Sequence, residues 1–136
     1  MSTLSDRYAS PAMKQIWSSK SKIASERRLW ITVMRAQSEL GLDIPAAAIA
    51  DYERVIDSID LESIDKRERE LRHDVKARIE EFNSLAGHQY IHIGMTSRDL
   101  TENIEAAQIK SGLELIRFKS IALLAGLGEK SADIRL

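Results

Sequence analysis

The sequence predicts an all-α fold, and three observations carry that prediction. Apolar residues recur at helical spacing through most of the chain. Punctuation is sparse, with two prolines and six glycines in 136 residues. No run of period-two alternation is long enough to build a sheet; Gln89 to Ile93 is short enough to be a loop or a single extended piece.

Taken in order, the first long helix carries Leu29, Val33, Ala36 and Leu40 as one stripe, with Trp30 and Met34 beside it, and closes at Gly41. Pro45 suits the first turn of a second helix bearing Ile49, Tyr52, Ile56 and Ile59. A third segment follows Asp60. Ile64, Leu71, Val75, Ile79, Phe82 and Ala86 keep helical spacing as far as Gly87, with charged residues filling the other faces.

From Thr96 the pattern changes. Leu100, Ile104, Ala107 and Ser111 form one narrow stripe, while Ile109, Leu113, Ile116, Leu123, Leu124 and Leu127 form a second. Two apolar faces on one helix predict burial against more than one neighbour, as in a bundle. A helix from Asp99 to Leu127 would be about 43 Å long. The preceding helices are too short to cover it, so companions are expected from other subunits or from further chain.

Composition narrows the function classes. Twenty Lys and Arg against 21 Asp and Glu give no bulk field for nucleic acid or a membrane surface. No cysteine means no disulfide, no thiolate nucleophile and no Cys-based zinc site. His73, His88 and His92 match no metal spacing, so no metal is expected. The opening residues lack the apolar stretch of a secretory signal, and no segment approaches a membrane span. A cytoplasmic protein is expected.

The stretch H-I-G-M-T-S-R-D-L-T-E-N, from His92 to Asn103, concentrates polar chemistry at a helix start. Thr96-Ser97-Arg98-Asp99 fits a capping box, with Thr96 as N-cap and Asp99 reaching back to its amide. Two adjacent hydroxyls, the preceding Gly94 and a helix N-terminus also suit an anion, with a carboxylate the natural guest and His92 facing the same space. Arg72-His73-Asp74 reads either as ordinary helical surface or as a histidine tuned by a carboxylate beside an anion-binding Arg. Arg7-Tyr8 would suit a phosphate, because both side chains donate hydrogen bonds. His88 and Gln89 carry no independent signal.

Four segments together resemble a known family. R-Y-A-S-P-A-M-K-Q-I-W-S from Arg7, K-I-A-S-E-R-R-L-W from Lys22, L-R-H-D-V-K-A from Leu71 and the His92–Asn103 stretch are similar, in order and spacing, to the N-terminal part of the adenylosuccinate lyases, within the aspartase/fumarase superfamily. The resemblance runs from about Arg7 to the end of the chain. It implies an N-terminal all-α domain over residues 1–95, and the start of a central helical bundle over 96–136. It also implies that Arg7 and Tyr8 bind the nucleotide phosphate. Arg72, His73 and Asp74 would contact substrate, with His73 supporting catalysis by orienting substrate or the proton donor. Thr96 and Ser97 would hold the succinyl part, and His92 would lie near the phosphate end. The implied reaction is cofactor-free β-elimination of fumarate from succinylated purine nucleotides, in a homotetramer whose active sites combine segments of different subunits.

The family's general-acid histidine and general-base serine have no counterpart within these 136 residues. The chain is therefore expected to be part of a longer protein, to bind substrate weakly, and not to turn it over. Two alternatives stand beside this: another lyase or cycloisomerase of the superfamily, and a non-catalytic helical interaction module.

Overall fold

The structure, a computed structural model, describes residues 3–134. Among them it contains seven helices and no strand: α1 (Thr3–Tyr8), α2 (Pro11–Ile16), α3 (Ser19–Glu39), α4 (Ala46–Arg54), α5 (Leu61–Leu71), α6 (Asp74–Ala86) and α7 (Ser97–Asp133). The predicted all-α class holds, and Gln89 to Ile93 is loop and turn rather than strand. No described helix is long and apolar enough to cross a membrane. Of the expected 1–95 and 96–136 division, residues 1, 2, 135 and 136 lie outside the described residues.

The chain forms two compact units: Ser19–Ile104, and the described parts of Met1–Ser18 with Glu105–Leu136. In the first, the core gathers Trp30, Ile31 and Met34 of α3, Tyr52 of α4, Val75 and Phe82 of α6, and Leu100 at the start of α7. Tyr52 meets Phe82 edge-on at 4.9 Å between ring centroids, and Trp30 stacks on Phe82 at 6.3 Å. Such ring pairs add about 0.5–1.5 kcal/mol beyond the area they bury.

Three expectations need correction. The buried face of α3 is Ile23, Ala24, Arg27, Trp30, Ile31 and Met34, not the stripe from Leu29 to Leu40; Ala36 and Leu40 are exposed. The reason is electrostatic pairing. Glu26 and Arg27 lie inside, because Arg27 reaches Glu81 at 2.5 Å and donates to the carbonyls of Val55 and Ile56 at 2.9 Å each. Arg78 Nε lies 2.7 Å from Glu26 Oε2, an ion pair without hydrogen-bond alignment, and burial pushes the Glu26 carboxyl upward against that guanidinium.

The second helix ends at Arg54, so Ile56 and Ile59 pack from the following loop. The segment after Asp60, expected as one helix, is two. Asp60 caps α5 by accepting from the Ser63 amide at 3.0 Å, and α5 stops at Arg72, whose φ of 53° is left-handed. Apolar spacing runs on in phase from Leu71 to Val75, so periodicity gives no sign of the joint.

In the second unit, Ser10 caps α2 through the Met13 amide at 3.3 Å. Gln108 of α7 is buried and donates to the Ile16 carbonyl at 2.8 Å. Beyond it Ile109, Leu113, Ile116, Leu123, Leu124 and Leu127 are all more than half exposed.

Candidate functional site

Local backbone chemistry places the candidate residues. Arg72 terminates α5, its amide donating to the Glu68 carbonyl at 2.7 Å. His73 then becomes the N-cap of α6, not a mid-helix residue as the Arg72-His73-Asp74 spacing suggested, and its Nδ1 accepts the Lys76 amide at 3.3 Å. Nε2 makes no hydrogen bond among the described residues. Asp74 opens α6, with Oδ1 3.8 Å from His73 Nδ1 and Oδ2 accepting from Arg78 at 3.1 Å. Burial opposes ionisation of Asp74, but the Val75 amide and the Arg78 guanidinium outweigh it and hold its pKa below the usual carboxylate value. Asp65, Glu68, Arg69, Arg72, His73 and Asp74 line an open cleft of about 700 Å³.

The capping box at α7 is present. The Thr96 amide donates to Asp99 Oδ2 at 2.7 Å, and the Asp99 amide reaches Thr96 Oγ1 at 3.4 Å. The Thr96 hydroxyl also donates to Asp99 Oδ2 at 3.1 Å. Asp99 is held below the usual carboxylate range by the Thr96 amide first and the hydroxyl second. Thr96 is thus committed to its own cap. The Ser97 hydroxyl makes no hydrogen bond among the described residues and is the one available to a guest.

His92 stands just before this cap with a left-handed φ of 64°, followed by Gly94 at 71°. Its ring is half-buried, and its Nδ1 accepts the Trp30 indole N–H at 3.0 Å. Burial lowers the His92 pKa, the Asp99 carboxylate pulls it back up, and the His73 imidazole lowers it again. His92 therefore feels the charge of both Asp99 and His73. Arg72 and His92 are the only non-glycine residues with positive φ among those described, and both carry site roles in the sequence reading.

Arg7 and Tyr8 sit on α1, in the other unit, with both side chains exposed and Arg7 free of ion pairs among the described residues. Sequence reasoning missed Asp65, Glu68 and Arg69. Their spacing with Arg72 follows one helix face (i, i+3, i+4, i+7), a signal that was there to read. No sequence signal linked Trp30 to His92, which lie 62 positions apart. No group of acidic and histidine side chains suited to a metal occurs among the described residues.

No protein-family model matches the chain. Individual proteins do. The adenylosuccinate lyase of Synechocystis is 36% identical over 82% of this chain, that of Schistosoma mansoni 33% over 94%, and that of Saccharomyces cerevisiae 30% over 97%. The matched regions are only 26, 27 and 28% of those three proteins, so the chain spans little more than a quarter of their length. Along most of its own length, this chain is a sequence relative of the adenylosuccinate lyases, matching a portion of them rather than the whole.

Proposed function

We propose that the chain is the N-terminal portion of an adenylosuccinate lyase and supplies substrate-binding groups to its active site. The observation that carries this is that His92 lies within electrostatic reach of both His73 and the capped start of α7, on a chain whose relatives include adenylosuccinate lyases. In this reading the complete protein cleaves the C–N bond of adenylosuccinate, and of the succinylated carboxamide ribotide of purine synthesis, releasing fumarate. A base removes the proton beside a carboxylate, the resulting carbanion is held as an aci-carboxylate, and an acid protonates the leaving nitrogen. Ser97 and the α7 amides hold a succinyl carboxylate, with Thr96 shaping that turn. Arg72, His73 and Asp74 contact substrate, His73 orienting it through Nε2 or supporting the proton donor. His92 serves the phosphate end, and Arg7 and Tyr8 bind the phosphate itself. No cofactor is invoked. The complete enzyme is a cytoplasmic homotetramer, with residues 1–95 as its N-terminal helical domain and 96–136 as the start of its bundle.

The test is to mix adenylosuccinate with the 136-residue chain, following amide and imidazole resonances and assaying fumarate. Weak perturbation centred on His73, His92 and Ser97, lost in Ser97→Ala, is expected, with no fumarate formed. Turnover above background would overturn the claim that the acid and base lie elsewhere. Perturbation remote from these residues would overturn the site assignment.

A further inference from the structure

The grip of α3 on the loop before α7 has a chemical consequence beyond packing. Two donors on α3, two helical turns apart, hold adjacent residues: Trp30 Nε1 donates to His92 Nδ1 at 3.0 Å, and Gln37 Nε2 donates to the Ile93 carbonyl at 2.8 Å. Trp30 is 1% exposed, stacked on Phe82, and meets the His92 ring edge-on at 6.0 Å and 87°. An indole N–H can only donate. The nitrogen it faces must therefore be the unprotonated one, and a proton arriving at Nδ1 would set two donors against each other in a half-buried place.

We propose that Trp30 is the positioning residue for His92, fixing it as a neutral imidazole with the proton on Nε2, so that it offers the site a hydrogen-bond donor and neither a base nor a cation. The tautomer follows from the Trp30 contact alone; the use of that donor toward an anionic guest rests on the lyase reading. The charged and titratable groups acting on the ring come from two other elements, Asp99 in the first turn of α7 and His73 at the start of α6. Asp99 favours protonation and His73 opposes it, and burial sides with the neutral form. The left-handed backbone at His92 is held by the same pair of α3 donors.

The experiment is a long-range nitrogen–proton correlation of the histidine rings in the labelled 136-residue chain, recorded at about pH 8, above the ordinary imidazole range, and then on titration downward. A pyridine-type Nδ1 and a pyrrole-type Nε2 at His92 are expected, together with an indole proton of Trp30 that exchanges slowly. In Trp30→Phe the donor is lost with most of the ring retained. The two tautomers should then mix, and the His92 titration midpoint should move up toward the ordinary imidazole value. A protonated Nδ1 in the unmodified chain overturns the proposal, as does an unchanged tautomer and midpoint in folded Trp30→Phe. Should that variant fail to fold by circular dichroism, the ring nitrogens of the unmodified chain decide alone. Adding inorganic phosphate or succinate to the same sample separates the two readings: a fixed Nε2–H tautomer with no response to either anion sinks the anion site and leaves the Trp30 assignment standing.

Discussion

Replacing Tyr52 by Phe removes one oxygen from the centre of the Ser19–Ile104 unit and leaves the ring in place. The phenol is fully buried. Its single proton serves Asn83 Oδ1 at 2.5 Å or the His88 carbonyl at 2.9 Å, and its oxygen accepts the Tyr90 amide at 3.2 Å. Phe keeps the edge-on contact with Phe82, so the packing contribution is conserved. One donated and one accepted hydrogen bond are lost, each worth about 1 kcal/mol net, for a total of about 2 kcal/mol. With a urea dependence of about 2 kcal/mol per molar, the unfolding midpoint should fall by about 1 M with unchanged slope. Tyr90→Phe is the control: that hydroxyl has no hydrogen bond among the described residues, and the change should stay within about 0.5 kcal/mol. Because Tyr52 ties α4 to the stretch leading into His92, the variant should also expose the Tyr90 amide to solvent. A loss for Tyr52→Phe no larger than the control's would refute the claim that this phenol organises the approach to the site.

Two further outcomes follow from the charges. Asp99 has a folded pKa below its unfolded value, so its stabilisation is present above about pH 4 and is lost as pH falls through the folded value. Asp99→Asn should therefore melt below the unmodified chain near pH 7, with the gap closing in acid; a gap independent of pH would contradict the Thr96 contact as its source. Within the core, Arg27→Met or Glu81→Leu alone should cost about 3 kcal/mol by stranding a buried charge, while the double variant should lose much less than the sum. Additive losses in denaturant melts would refute the pairing.

Much of the fold was legible because helical punctuation is chemical and local. Gly41 and Gly87 both stand at helix ends with positive φ, and the Thr96–Asp99 box was readable residue by residue. The inward face of α3 was not legible, because a buried Arg27–Glu81 pair joins residues 54 positions apart and a lone Arg in sequence looks like surface. The joint at Arg72 escaped for a different reason: a left-handed residue leaves no trace in apolar periodicity when the spacing on both sides stays in phase. At the site, residue identities could be read but partnerships could not. Thr96 and Ser97 read in sequence as a pair of hydroxyls for one anion, yet Thr96 is consumed by its own cap.

The length of α7 has a consequence in the time domain. The helix runs for 37 residues, about 56 Å at 1.5 Å per residue. Leu100 and Ile104, near its start, are buried, whereas Ile109, Leu113, Ile116, Phe118, Ile121, Leu123, Leu124 and Leu127 face solvent and Leu115 is only partly covered, and Gly126 and Gly128 each weaken the last turns by about 1 kcal/mol relative to Ala. Turns supported only by intrinsic propensity open with free energies near zero, while those docked on a core open with the whole unit. Amide hydrogen exchange along α7 should therefore form a gradient, slowest around Leu100–Ile104 and fastest past Gly126. The stretch richest in exposed apolar side chains is then also the one whose backbone is most often unzipped, and its opening rate is set by its own few turns rather than by unfolding of the chain.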